Sequence, residues 1–122
     1  MPGKDKKAIG AWGEEIAAAF FKKQGYDILE RNYRVPVGEI DLICKKDDLI
    51  LFVEVKVRGS CRFGGPEHAI TPLKKARLIR AAKWYVMERG GEDSFFRFDC
   101  VFIRGDRTCY QLEHIESAFQ TW

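Results

Sequence analysis

Two neighbouring apolar segments with charged residues inside them constrain this chain more than any other feature. They cover residues 38–46 and 49–57, and two aspartates separate them. Segments of this length and composition, joined by two residues, predict a β-hairpin. The short loop also sets the pairing, which places Asp41 opposite Glu54. Directly opposed residues share one face of a sheet and lie close together.

The predicted pairing gathers further charge on the same face of the hairpin. Glu39 is expected opposite Lys56, beside the two acids already named. The opposite face would then collect an apolar set that consists of Ile40, Leu42, Val53 and Val55. A pairing shifted by one residue would spoil both faces, because it would turn every side chain over. The hairpin is therefore expected to present three acids and one lysine together.

The facing carboxylates of Asp41 and Glu54 have two interpretations. Opposed carboxylates repel each other, and a divalent cation would compensate them. Mg²⁺ needs only one or two carboxylates when a phosphate and waters supply its other ligands. Alternatively, both acids lie on a solvated face, where Lys56 and nearby arginines neutralise them. The apolar residues around Glu54 favour the metal site, because ionised groups in buried strands are rarely unpaired.

The charged hairpin resembles the signature of the PD-(D/E)XK nucleases, in which an aspartate precedes a Glu-x-Lys triplet. The chain is most similar to one branch of that superfamily, the YraN-like family of small bacterial proteins, which is related to archaeal Holliday junction resolvases. The matching residues are Gly10, Gly13, Glu14, Gly25, Tyr26, Ile28, Leu29, Arg31, Asn32, 38–42, 52–56, Arg58 and 97–99. Ile40 stands where the wider pattern has a proline, but that proline ligates no metal.

The resemblance implies an α/β restriction-endonuclease-like fold, with a central mixed β-sheet flanked by helices, and metal-dependent hydrolysis of phosphodiester bonds. It implies that Asp41, Glu54 and the backbone carbonyl of Val55 bind Mg²⁺ or Mn²⁺. Lys56 would position the attacking water or stabilise the negative charge that develops during the reaction. Glu14 would complete the acidic cluster as a fourth catalytic residue.

The sequence leaves two questions open: which glutamate of the first helix belongs to the site, and what role Glu39 has. Glu14 and Glu15 both lie beside the apolar stripe of the first predicted helix, and helical spacing alone does not choose between them. The resemblance favours Glu14. Glu39 is expected either as a second acid of the site or as a salt-bridge partner of Lys56.

Basic residues beyond the hairpin are candidates for substrate contacts. Arg58 follows Lys56 by two residues, and Lys74 lies at the start of the second predicted helix. Both are expected to contact phosphates, although the basic helix taken alone favours an ordinary solvated face. His68 and His114 stand alone and are more typical of structural or solvated residues, although His68 would reach the site if the glycine-rich loop predicted over residues 59–70 folded over it.

Periodicity and turn residues predict the order α-β-β-β-α-β-β. Gly25 is expected to end the first helix, whose apolar stripe is Ile9, Trp12, Ile16 and Phe20. Thr71 and Pro72 are expected to begin the second helix, as N-cap and first residue. The predicted helices cover residues 7–24, 72–89 and 115–119, and the predicted strands cover 26–34, 38–46, 49–57, 95–104 and 108–112.

Length and composition predict one soluble domain over residues 1–122, with a flexible N-terminus over 1–7. The chain has 122 residues, of which 46% are hydrophobic and 32% charged. It contains no apolar stretch of the ~20 residues that a membrane helix needs, and it does not begin with a signal peptide. We therefore expect a cytoplasmic protein that binds no membrane. The net charge of +3 does not by itself indicate nucleic-acid binding.

The resemblance also implies the partners. It favours DNA over RNA as the nucleic acid, a branched or junction substrate, and a homodimer, because resolvases cut two strands. Two alternatives stay open. The chain could be a catalytically silent nuclease-fold module within a DNA-processing complex, or an interaction protein whose acids and lysine form a structural ion-pair network. Only the last alternative predicts that no divalent metal binds.

Overall fold

A computed structural model describes residues 6–58 and 70–119. The elements are α1 (Lys6–Lys23), β1 (Asp27–Val35), β2 (Gly38–Lys46), β3 (Leu49–Arg58), α2 (Pro72–Arg89), β4 (Phe95–Gly105) and β5 (Tyr110–Phe119). The predicted order is confirmed, and most boundaries fall within one residue of the prediction. Neither helix in the described part of the chain is long and apolar enough to cross a membrane.

The five strands form one mixed sheet in the order β1-β2-β3-β4-β5. Neighbouring strands are antiparallel except for β3 and β4, which are parallel and are joined by the crossover that contains α2. Parallel neighbours need such a crossover, because a tight turn can only reverse the chain. The predicted fold class, α/β with a central mixed sheet flanked by helices, is confirmed.

The hairpin has the register that its loop predicts. Paired positions run from Lys46 and Leu49 to Leu42 and Val53. The regular ladder stops there, and the next contact is different in kind. The backbone N–H of Val55 donates to Oδ2 of Asp41 at 2.8 Å. A side chain thus takes a hydrogen bond that a backbone carbonyl would normally accept, where the strands begin to separate.

Both faces of the sheet are covered, one by each helix. The core on the α2 side contains Tyr33, Ile40, Ile43, Ile50, Phe52, Leu78, Ala81, Ala82, Tyr85 and Phe98. The core on the α1 side contains Ala17, Ala18, Phe21, Leu42, Cys44, Leu51, Val53, Val101 and Ile103.

The prediction that Ile40 and Leu42 share a face is wrong, because they lie in the two different cores. The alternation along β2 breaks at Asp41, between them. On β1, the position between the paired residues 31 and 33 is Asn32, whose φ of 51° is left-handed. Such a residue bends its strand and changes the local twist. The sheet is therefore irregular where Asp41 lies.

Small residues bring α1 close to the sheet. Gly13 is buried, and a Cβ there would overlap Cγ2 of Val57. Ala17 and Phe21 continue this buried face with no exposed surface. The predicted stripe through Trp12 is only partly buried and lies beside this face. Hydrophobic periodicity missed the true contact line, because glycine and alanine allow close approach without contributing much to an apolar pattern.

The start of α2 has the predicted cap. Thr71 accepts a hydrogen bond from the N–H of Lys74 through Oγ1 at 3.1 Å, and Pro72 is the first helical residue. Further along, α2 touches β2 backbone to backbone. Gly38 is buried, and a Cβ there would overlap the carbonyl oxygen of Arg77. This contact fixes the height of the helix above the hairpin.

The predicted C-terminal helix over 115–119 is wrong, because β5 continues to Phe119. Short apolar runs do not distinguish helix from strand, and here pairing with β4 decides. At the other end, α1 begins at Lys6, one residue before the predicted start of the helix. Residues 1–5, and residues 59–69 of the loop predicted over 59–70, which include His68, lie outside the described residues.

Candidate functional site

The candidate site lies where β2 and β3 begin to separate. Asp41 is partly exposed, whereas Glu54 is only 3% exposed. Val55 follows Glu54 on β3, and its backbone N–H donates a hydrogen bond to Asp41 that anchors this carboxylate. The N–H and C=O of one residue in an extended strand point to the same side. The carbonyl of Val55 is therefore directed toward β2, beside the two acids.

Glu54 is the most unusual group in the described structure. Its Oε1 atom is buried and has no hydrogen-bond partner among the described residues. Burial raises the pKa of Glu54 to about 8, and the negative charge of Asp41 adds to this effect, while Lys74 and Lys56 oppose it. In its protonated form Glu54 can also hydrogen-bond the Asp41 carboxylate, which raises the pKa further. A buried carboxylate with an unpartnered oxygen is costly, so without a cation Glu54 favours its neutral form. A cation bound beside Asp41 would favour the charged form and supply the missing partner.

Two lysines approach Glu54 from different elements. Nζ of Lys56 lies 3.8 Å from Oε2 of Glu54, on the same strand. Nζ of Lys74 lies closer, at 3.3 Å, and comes from the first turn of α2. The sequence predicted Lys74 only as a phosphate contact, and its place beside Glu54 depends on how α2 docks. The crossover thus brings a second cation to the acid pair.

The structure separates the two glutamates of α1. Glu14 is half-buried, and its pKa is raised by burial and by the negative charge of Asp41, while a hydrogen bond with Asn32 opposes the rise. Glu15 is exposed and forms an ion pair with Arg31 at 2.9 Å. Glu14 is therefore the glutamate that faces the acid pair. It lies next to Gly13, whose close approach to the sheet brings it there.

Glu39 does not have the predicted partner. Its Oε2 lies 3.9 Å from Nε of Arg34, its register partner on β1, and not beside Lys56. The separation of the strands beyond Asp41 explains this, because it takes Glu39 away from β3. Arg58 lies at the end of β3, with its guanidinium carbon 5.8 Å from the centre of the Phe102 ring.

The arrangement fits a small divalent cation that keeps part of its hydration shell. In residues 6–58 and 70–119, no three His, Cys, Asp or Glu side chains form a group that could hold a metal ion by themselves. Mg²⁺ and Mn²⁺ accept waters and phosphate oxygens in addition to one or two carboxylates. Asp41, Glu54 and the carbonyl of Val55 supply oxygen ligands of that type.

A second buried acid was not recognised from the sequence. Asp99 on β4 has an entirely buried side chain and accepts two hydrogen bonds from Arg97, at 2.8 and 2.9 Å. Nε2 of His114 lies 2.7 Å from Oδ2, and the N–H of Ser117 donates to Oδ1 at 3.1 Å. His114 therefore has a partner, although its position in the sequence suggested an isolated residue. A charged residue inside an apolar strand was the available signal, as it was for Glu54.

Burial disfavours the charged form of Asp99, but hydrogen bonds from His114, Arg97 and Ser117 outweigh it and lower its pKa. This fully bonded acid differs from Glu54, which has an oxygen without a partner. Asp99 is therefore a structural group, and Glu54 is a candidate ligand.

Comparisons with known proteins place the chain in a family. The profile described as Uncharacterised protein family UPF0102 matches residues 13–103. A UPF0102 protein of Syntrophomonas wolfei is 46% identical over 113 residues, which are 93% of this chain and 98% of that protein. UPF0102 proteins of Desulforapulum autotrophicum and Clostridium perfringens are each 41% identical, over 95% and 96% of this chain and 96% and 98% of their own lengths. The chain is a member of the UPF0102 family, the YraN-like family that its sequence resembles.

Proposed function

We propose that this protein is a metal-dependent nuclease that hydrolyses phosphodiester bonds in DNA. The observation that carries the proposal is the buried Oε1 of Glu54, which has no hydrogen-bond partner among the described residues and lies in a carboxyl group beside Asp41. A structural ion-pair network would be expected to satisfy both oxygens, as the network around Asp99 does. A cation with open coordination positions would satisfy the remaining oxygen of Glu54.

Asp41, Glu54 and the carbonyl of Val55 would hold Mg²⁺ or Mn²⁺. When bound, the cation supplies Lewis acidity toward the scissile phosphate and lowers the pKa of a water. The remaining chemistry belongs to the chain. Lys56 extends from the same face of β3 as Glu54 and would donate hydrogen bonds to a phosphate oxygen or orient the attacking water.

Lys74 and Glu14 would complete the site from the two helices. Without a cation, Lys74 is the nearer positive charge to Glu54. With the Glu54 carboxylate bound to the cation, the ammonium group of Lys74 would be available to a phosphate of the substrate. This is the role that the sequence predicts for Lys74. Glu14 would act as a positioning residue for Asp41, since its carboxyl group lies within electrostatic reach of that acid.

The substrate class and assembly follow from the resemblance, and they belong to the same proposal. A branched or junction DNA is the preferred substrate, and a homodimer is the active form on a substrate with two strands to cut. The cytoplasm is the compartment in which the protein meets DNA. The catalytically silent binding module is the competing function, and it predicts DNA binding without cleavage.

A cleavage assay tests the proposal. Labelled four-way junction, flap, duplex and single-stranded DNA would be incubated with the protein in Mg²⁺, Mn²⁺ or EDTA. We expect metal-dependent cleavage of at least one substrate, with a rate reduced about 100-fold or more by Asp41→Asn and by Lys56→Gln, since such groups act on the transition state. The exposed Glu92→Gln is the matched control and should cleave normally.

Cleavage that persists in EDTA, or that Asp41→Asn leaves unchanged, would contradict the proposal. Binding of the same substrates without any cleavage would favour the silent module.

A further inference from the structure

The carboxyl ends of the two parallel strands carry a pair of arginines that the catalytic scheme does not use. Arg58 on β3 is the register partner of Arg104 on β4. Paired residues on neighbouring strands are only about 5 Å apart along the hydrogen-bonding direction. In open α/β sheets, ligands commonly bind beyond the carboxyl ends of the strands. This arginine pair therefore lies where a ligand of such a sheet would bind.

One aromatic ring holds both guanidinium groups. The guanidinium carbon of Arg58 lies 5.8 Å from the centre of the Phe102 ring, and that of Arg104 lies 4.9 Å from it. Phe102 is 3% exposed, so the ring is a fixed support. Arginine planes that are held in this way lose less freedom when they bind a planar or tetrahedral oxyanion.

The arginine pair lies on the same face as the candidate site. Along β3, Glu54, Lys56 and Arg58 alternate with residues of the other face, and their partners on β4 are Cys100, Phe102 and Arg104. Four residues separate Glu54 from Arg58, which corresponds to about 13 Å along a strand. The pair is therefore far enough from the candidate site to contact a different phosphate of the same DNA.

We propose that Arg58 and Arg104 form a phosphate-binding site for the DNA backbone, about 13 Å along β3 from the candidate metal site. Phe102 positions both guanidinium groups, and each can donate paired hydrogen bonds to phosphate oxygens. The inference rests on the proposed function, because it assigns the path of the substrate along β3. It adds Arg104 and Phe102 to the substrate surface and gives that surface a direction.

Binding of a fluorescein-labelled 20-base-pair DNA duplex in EDTA, followed by fluorescence anisotropy, tests this site without cleavage. We expect the double variant Arg58→Gln, Arg104→Gln to bind about 10- to 100-fold more weakly. The slope of log K against log salt concentration should fall by about 2, since each lost phosphate contact contributes about 0.9. Replacing both by lysine should restore only part of the affinity, because lysine does not form the planar paired contact.

The matched control is Lys22→Gln, Lys45→Gln, which removes the same charge from exposed positions on other parts of the chain. It should change the affinity less than threefold. If the arginine double variant fails to melt cooperatively, the exposed Arg58→Gln alone decides, with an expected weakening of about 3- to 10-fold.

Equal affinity of the arginine and control variants would overturn the inference, as would a wild-type protein that does not bind the duplex. Neither result would remove the proposed function, which the metal-dependent cleavage assay with Asp41→Asn decides separately.

Discussion

At the scale of single residues, two buried carboxylates have opposite environments. Asp99 has a hydrogen-bond donor for both oxygens, and its pKa is lowered. Glu54 keeps one oxygen without a described partner, and burial raises its pKa to about 8. Sequence could identify both as charged residues in apolar strands. It could not separate them, because the difference depends on partners from β5 and α2 that are distant along the chain.

The raised pKa of Glu54 predicts how stability depends on pH in the absence of metal. The folded protein favours the protonated acid, so the stability that this group contributes is fully present below its unfolded pKa of about 4.5. It is lost as the pH rises toward about 8. Glu54→Gln mimics the protonated form, and we expect it to raise the free energy of unfolding at pH 8 by about 1–3 kcal/mol. Urea unfolding in EDTA between pH 5 and pH 9 measures this.

The exposed Glu92→Gln is the control for that experiment and should follow the wild type at every pH. A Glu54→Gln protein that is less stable than the wild type at pH 8 would show that the carboxylate is fully compensated without metal.

Asp99 predicts the reverse dependence. Its pKa is lowered in the folded state, so its contribution to stability is present above its unfolded pKa and is lost as the pH falls through the folded value. We expect Asp99→Asn to lower the free energy of unfolding by about 2–4 kcal/mol at pH 7, since it leaves Arg97 and His114 without their acceptor. The difference from the wild type should shrink below about pH 4. Thermal melting across pH 3–7 measures it, with the exposed Asp93→Asn as control.

At the scale of the elements, the sequence predicted the features that neighbouring residues determine. It did not predict the contacts between elements that are distant along the chain. The two-residue loop predicted the register from Lys46–Leu49 to Leu42–Val53, and Thr71 predicted the start of α2. These features depend on a few neighbouring residues. The face of Ile40 and the contact of Lys74 with Glu54 depend on a bend in β1 and on the docking of α2, so no local pattern contains them.

The glycines of α1 test the docking of that helix. Gly10 has open space where a Cβ would lie, whereas at Gly13 a Cβ would overlap Val57. We expect Gly10→Ala to stabilise the protein by about 0.5–1 kcal/mol, because alanine favours the helix. Gly13→Ala should destabilise it by about 1–3 kcal/mol, because it overpacks the contact with the sheet. Denaturant unfolding compares the two substitutions, which lie on one helix. Equal effects would contradict the close approach of α1 at Gly13.

At the scale of the whole molecule, the two helices deliver opposite charges to one place on the sheet. Glu14 approaches Asp41 from α1, and Lys74 approaches Glu54 from α2. The site lies where the ladder between β2 and β3 ends, so both faces of the sheet can contribute to it. The resemblance predicted Asp41, Glu54 and Lys56 as residues of one site. The convergence of the two helices is a property of the assembled fold.

Thermal melting with and without millimolar Mn²⁺ tests the central claim most directly, on the wild type, Asp41→Asn and the control Glu92→Gln. A cation that binds only the folded protein must raise its melting temperature. The account predicts a rise for the wild type and the control, and its loss in Asp41→Asn. An equal rise in all three proteins, or no rise in any of them even with DNA present, would contradict a metal site at Asp41 and Glu54.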